Sequence, residues 1–278
     1  MHDSPELRRC VGALEPQLER VGGELVVVDG SLDGSLAGLA AARVPGGDVF
    51  TLRARGAQHA SGRVVAFTED HCLPAGDWCE RMLETHDRHP HTVGVGGAVL
   101  NGSTTRIADW ANFLVTFAPF LPPLGARPGA RVCPIANVSV KREVLDEHEL
   151  TPGRLELEIV PHLHRVGHMV LDDRVRVSHV QSHGLLRTPL AHFDNGRVSA
   201  SLPRRSPPLR ERILRACRSF VLPALLVPGI VGPGVRYRPA RGPALLAAPL
   251  VLVLLVCHAA GEVTGLVAGP GRSPGRID

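Results

Sequence analysis

An apolar run, Val64 to Phe67, ends directly in Thr68-Glu69-Asp70-His71. Two acids and an imidazole therefore follow a segment with the character of a buried strand. A third acid, Asp29, closes the run Glu24-Leu-Val-Val-Val-Asp29. Ligands of open α/β sheets bind outside the carboxyl ends of the strands, so acids at two such ends can meet in one crevice. Hard carboxylates suit Mg²⁺ or Mn²⁺, which ordinarily retains substrate phosphates as further ligands. A divalent ion carrying a diphosphate is one chemistry these residues support. The other reading is that the acids cap the turns that follow them.

The elements that position these acids have an alternating rhythm. Leu7, Val11, Leu14 and Leu18 share a helical face, with Ser4 as N-cap. Residues 24–29 read as a buried strand, 30–35 as a tight turn leading into a helix to about Ala42, and 49–53 as another short strand. A helical stub at 57–61 and a strand at 62–67 follow. Helix is expected at 77–89 and 187–201, and strand at 92–99 and 169–179. Strand alternating with helix predicts an α/β fold with a mostly parallel sheet.

The chain has 278 residues, of which 44% are apolar and only 4% aromatic. The core is therefore expected to be Val-, Leu- and Ala-rich, with Trp78 and Trp110 in it. The net charge is +4, with Arg204, Arg205, Arg210, Arg212, Arg215 and Arg218 concentrated late in the chain. Few aromatics are interleaved for base stacking, so an anionic membrane surface fits this cluster better than nucleic acid, and no nucleic-acid partner is expected. The six cysteines form no C-x-x-C pair, which points to reduced thiols. Residues 1–20 lack the apolar stretch of a signal peptide. Ala244 to Val256 is strongly apolar and continues more weakly to Ala268, interrupted by His258 and Glu262. Its length suits a membrane-associated helix. Phe220 to Gly232 is apolar but interrupted by Pro223 and Pro228.

Several blocks, in order, resemble the inverting family-2 glycosyltransferases: ELVVVDGSLDGS, RARGAQHASGRVVAFTEDHCLPAGDW, GVGGAVLNG, ANVSVKREVL and LELEIVPHLHRVGHMVLDDRVRVSH. The resemblance implies a GT-A fold, a Rossmann-like mixed, mostly parallel sheet flanked by helices that binds a nucleotide-sugar through Mg²⁺ or Mn²⁺. It implies nucleotide-sugar contacts from Asp29, Ser31, Asp33, Glu69, Asp70 and His71. Asp70 matches the last acid of the D-x-D motif and is the expected metal ligand. Thr68 stands where the first Asp is often found. His179, in Val-Ser-His, matches the strand-end histidine, a second metal ligand. Glu156 matches the catalytic base, with Glu158 as the near alternative. The family's usual opening strand has no counterpart before the first helix, and the Q-x-x-R-W of processive synthases is absent.

Together these readings predict a glycosyltransferase domain over 1–201, a basic linker over 202–218, hydrophobic membrane-associated segments over 219–270 and a tail over 271–278. The expected activity is inverting transfer of a sugar from a nucleotide donor to a hydroxyl, on a lipid-linked or cell-envelope glycan. The protein would sit at the cell membrane with its catalytic domain on the cytoplasmic side. The alternative is a non-catalytic, membrane-anchored relative that binds or assembles.

Overall fold

A computed structural model describes residues 4–36, 38–124, 134–146, 168–181, 184, 186–201 and 209–276. The chain divides into two compact units. One comprises Met1–Gly102 and Phe120–Val180, and the other Ser103–Pro119 and Gln181–Asp278. The second unit thus takes in the 103–119 and 181–201 segments, which sequence order groups with the first.

The first unit opens on α1 (Pro5–Val21), where the Ser4 hydroxyl accepts from the Leu7 amide at 3.1 Å. Leu7, Cys10, Leu14 and Gln17 form its buried face. Gln17 is a polar member that hydrophobic spacing did not reveal. Its amide nitrogen donates to the carbonyls of Ala13 and Ala75, and its oxygen accepts from the Cys79 amide. Two short parallel strands follow, β1 (Val28–Asp29) and β2 (Ala42–Arg43).

Two expectations fail between residues 30 and 59. The stretch from Gly30 to Ala41 forms turns in its described residues, not a helix. Gly30, Gly34 and Gly38 depress helix propensity there, and the Ser31 and Asp33 side chains bind nearby backbone amides, which favours turns. Conversely, Val49–His59 is helix α2, although its first residues were expected to be a strand. The Asp48 carboxylate accepts from the Thr51 amide at 2.8 Å and starts the helix.

The larger sheet contains β3 (Val64–Thr68), β4 (Cys72–Pro74), β5 (Thr92–Asn101), β6 (Asn137–Lys141) and β7 (His168–His179). Its order is β3-β6-β5-β7-β4. The sheet is mixed and flanked by helices, as expected. Within it only β5–β7 is parallel among the described pairings, and the other three are antiparallel. This corrects the expectation of a mostly parallel sheet: residue periodicity specifies a strand and not the direction of its neighbour. Helix α3 (Trp78–Arg88) follows β4, and α5 (Arg142–Asp146) follows β6. The core is aliphatic: Val65, Phe67, Val138, Val140, Leu145 and Met169 pack together. Trp78 is buried and donates through Nε1 to the Asn137 side chain at 2.8 Å. Asn137 in turn donates to the carbonyls of Ala98 and Val175, tying β6 to β5 and β7.

Glu69, Asp70 and His71 carry the chain from one edge strand of this sheet to the other. Five flat strands would set those edges about 19 Å apart, whereas the link reaches about 14 Å at full extension. The sheet must therefore coil at this end, which brings the link to the end of β7.

The second unit is helical. It contains α4 (Ile107–Phe117), α6 (Arg187–Ser201), α7 (Leu209–Arg236) and α8 (Arg241–Ala268). Trp110, Phe113, Leu114 and Phe117 form the buried face of α4. Helix α7 runs through Pro223, Pro228 and Pro233. Each proline deletes one backbone donor, and the rest of the ladder continues. Helices α6 and α8 approach at backbone distance: a Cβ on Gly196 would collide with the His258 carbonyl, and one on Gly261 with the Phe193 carbonyl.

Candidate active site

The two acids marked by the sequence have different surroundings. Asp29, at the end of β1, has no exposed surface. Its Oδ1 accepts from the Ser31 amide at 2.8 Å, and its Oδ2 from Arg43 Nε at 3.2 Å. Burial raises its pKa, but the bonds from Ser31 and Arg43 outweigh that effect and hold the carboxyl below its ordinary value. Ser31 is buried and its hydroxyl accepts from the Gly34 amide. Gly34 has φ 70°, and a Cβ there would press on the Arg43 guanidinium at 2.8 Å. The positive φ favours glycine at this turn, and a side chain there would also displace the arginine that neutralises Asp29. Asp33 is exposed and closes the same turn by accepting from the Ser35 amide.

Glu69 lies just beyond β3. Its Oε1 accepts from Arg53 of α2 at 2.5 Å. Its Oε2 lies 3.5 Å from His71 Nε2 and 3.3 Å from His179 Nε2. The two imidazole Nε2 atoms are 3.0 Å apart, with the rings in a T-shaped arrangement. Glu69, His71 and His179 thus form a group able to hold a metal ion. Burial opposes the charge of Glu69, but His179, Arg53 and His71 overcome it and bring the pKa down to about 2. His179 is also shifted down: burial disfavours the imidazolium more than Glu69 favours it. A neutral imidazole and an ionised carboxylate are the states a cation requires.

Asp70, expected as the metal ligand, has its Oδ1 2.8 Å from His71 Nδ1. It sits behind His71, outside the group of three. The geometry brings Glu69 and His71 to His179 and holds Asp70 against His71. Glu69 to Cys72 is a turn closed by the Cys72 amide, which donates to the Glu69 carbonyl at 2.9 Å, and the turn sets the Glu69 and His71 side chains 3.5 Å apart. His179 is brought in by pairing: it lies opposite Cys72 of β4 and Asn101 of β5. Spacing alone did not reveal Arg43 and Arg53, which reach the acids from neighbouring elements. Cys10 and Cys72 also line this region. The Cys10 thiol meets the Glu69 carbonyl, and the Cys72 thiol meets Glu69 Oε2 at 3.9 Å. Burial and the nearby Asp70 raise the Cys10 pKa to about 12. Glu156 and Glu158 lie outside the described residues.

The acids lie at strand ends of a mixed sheet, within the part of the chain that matches a known family. The pattern of glycosyl transferase family 2 fits residues 4–148. The chain belongs to that family. A glucosyl-dolichyl phosphate glucuronosyltransferase of Haloferax volcanii is 33% identical over 67 residues, which is 24% of this chain. The match spans 19% of that relative's own length. Family-2 membership supports glycosyl transfer and, in general terms, a sugar donor and a glycan acceptor. A divalent metal is common in the family, and the residues present fit one: two imidazole nitrogens and a carboxylate oxygen converge, and two of the three are oriented from behind by Asp70 and Arg53.

Proposed function

We propose that this protein transfers a sugar from a nucleotide-sugar to a hydroxyl with inversion, at a membrane surface. The convergence of Glu69, His71 and His179 in a family-2 chain carries the reading. In the proposed reaction, the acceptor hydroxyl oxygen forms a bond to the anomeric carbon as the bond from that carbon to the diphosphate breaks. The diphosphate leaves with the electron pair. The hydroxyl proton passes to a carboxylate, for which Glu156 is the first candidate and Glu158 the second. A divalent ion held by Glu69, His71 and His179 would neutralise the departing diphosphate. Asp70 positions His71, and Arg53 holds Glu69 in place. Asp29, Ser31 and Asp33 shape the turn expected to contact the nucleoside.

The membrane part of the proposal rests on the second unit. Arg238–Ala268 is long and apolar enough to cross a membrane. Ala247, Val251 and Leu254 of α8 are buried, while Leu245, Leu246, Leu250 and Val253 are exposed. On α7, Leu225 and Leu226 are exposed as well. Arg236, Arg238 and Arg241 cluster where α7 turns into α8, and basic groups beside an apolar surface favour anionic lipid. A lipid-linked or cell-envelope glycan acceptor is consistent with this placement, with the catalytic unit on the cytoplasmic side where nucleotide-sugars are made.

Calorimetric titration of UDP and GDP into the detergent-solubilised full chain, with and without Mn²⁺, tests the reading. Metal-dependent binding of one nucleotide, lost in His179→Ala, is the expected result. Absence of binding by folded protein would move the function to a non-catalytic member of the family.

A further inference from the structure

The length of α8 suits a membrane crossing, but its neighbours do not. We infer that α7 and α8 form an antiparallel hairpin that lies in the plane of an anionic membrane surface, one face in lipid and the other on protein, and that neither helix crosses the bilayer. This rests on the membrane part of the proposed function and specifies how the chain meets the lipid. Three observations carry it.

The first is the pairing of the two helices. The Ser219 hydroxyl of α7 donates to Glu262 Oε2 of α8 at 3.2 Å. At the other end, a Cβ on Gly234 of α7 would press on Ala244 of α8. The helices therefore run side by side in opposite directions. Between Arg218 and Arg236, and between Arg241 and Glu262, the sequence has no Asp, Glu, Lys or Arg. Val221 and Leu225 of α7, with Leu246, Leu250, Val253 and Val256 of α8, are exposed along this stretch.

The second is what covers the opposite face of α8. Near its start, the Gly234–Ala244 contact also meets Leu114 of α4. Near its end, a Cβ on Gly261 or Gly265 would collide with the Phe193 or Arg197 carbonyl of α6. Helices α4 and α6 are joined in turn, with His192 Nε2 2.8 Å from Asn112 Oδ1. They have 11 and 15 residues, about 16 and 22 Å, short of the roughly 30 Å hydrocarbon core. They also hold the Arg106–Asp109 ion pair and the buried Asp194, which accepts from Ser273. An upright α8 would draw these polar groups into hydrocarbon, where charge is costly. A flat hairpin leaves them on the aqueous side.

The third is charge. Arg218 bounds the apolar stretch at one end, and Arg236, Arg238 and Arg241 bound it at the other. All four are exposed. A flat hairpin sets both groups at headgroup level, where guanidinium meets lipid phosphate.

The test begins with full-length protein diluted from detergent onto phosphatidylcholine vesicles, with and without phosphatidylserine, and recovered by flotation. Flotation with the anionic vesicles is expected, weakened about fivefold for each of Arg236→Gln, Arg238→Gln and Arg241→Gln. Depth is read from Leu246→Trp, Val256→Trp and Val267→Trp, made singly at exposed positions, by quenching with lipids brominated near or far from the headgroup. The shallow quencher should act most strongly on all three. In sealed inside-out membranes from cells expressing the full chain, an impermeant maleimide should label Arg238→Cys from the same side as Glu15→Cys, both at exposed positions and both measured over the parent. Deep quenching of Val256→Trp between two shallow ends, or labelling of Arg238→Cys from the side opposite Glu15→Cys, would overturn the flat arrangement and leave the membrane reading standing. No flotation with either vesicle would sink both, and a disulfide joining two copies of Leu250→Cys would then give the apolar face to a second copy. The nucleotide titration tests the transferase chemistry separately.

Discussion

The ends of β1 and β3 both carry an acid paired with an arginine, yet the two acids are committed differently. Asp29 is fully buried, and both of its oxygens are engaged by the chain, one by the Ser31 amide and one by Arg43. Glu69 has one oxygen engaged by Arg53 and turns the other toward two histidines. A carboxylate with both oxygens spent locally holds a turn together. One with an oxygen directed at other ligand atoms is equipped for a cation. Equal-looking acids after equal-looking strands thus separate by what their second oxygen meets.

The largest expected effect comes from Glu69. Glu69→Ala should cut transfer about 10²–10³-fold by removing electrostatic support for the leaving group. Denaturant midpoints of the same variant check that the fold persists. Activity within tenfold of the parent would erase the distinction between the two acids.

Acid should act on one end and spare the other. Metal binding needs neutral histidines. His179 is held below its ordinary value of 6.5 by burial, so it resists protonation longer than a free imidazole. Mn²⁺ affinity should therefore hold through neutrality and then fall roughly tenfold per pH unit for each histidine that must lose a proton. Asp29 is held below its ordinary value of 3.8. A depressed carboxyl contributes stability that is complete above the unfolded value and disappears as pH falls through the folded one. The stability difference between the parent and Asp29→Ala should thus stay constant from pH 7 to 5 while metal affinity drops. Parallel decline of both quantities would refute the contrast.

The smallest effect sharpens the comparison from the other side. Asp29→Ala should destabilise the fold by about 1–2 kcal/mol, because the Ser31 amide loses its buried acceptor. Urea denaturation measures this, and Mn²⁺ affinity should change less than twofold in the same variant. A large loss of metal affinity would place Asp29 functionally with Glu69.

Local order was largely legible in the sequence. Ser4 and the leucine spacing of α1, the run ending at Thr68, the β5 strand and the helix over 187–201 follow from capping chemistry and periodicity, which act over a few residues. Candidate chemistry was legible too, since acids and a histidine after an apolar run are unusual and the family's blocks surround them. Sequence by itself thus determined the family, the α/β character and the short list that contains Glu69, His71 and His179.

Tertiary structure alone decided how those residues are arranged. Strand direction depends on partners far along the chain, so β5–β7 parallel beside antiparallel neighbours could not be read from alternation. Which of Glu69, Asp70 and His71 reach His179 was set by the turn that closes from Glu69 to Cys72 and by the pairing of β4 with β7. Arg43 and Arg53 act through contacts across 14 and 16 residues, a range at which spacing carries no signal. The helices flanking 120–180 in the sequence fold into one unit because their apolar faces meet each other, a fact of packing. Ligand sites are made where distant segments converge, and convergence is a property of the folded chain.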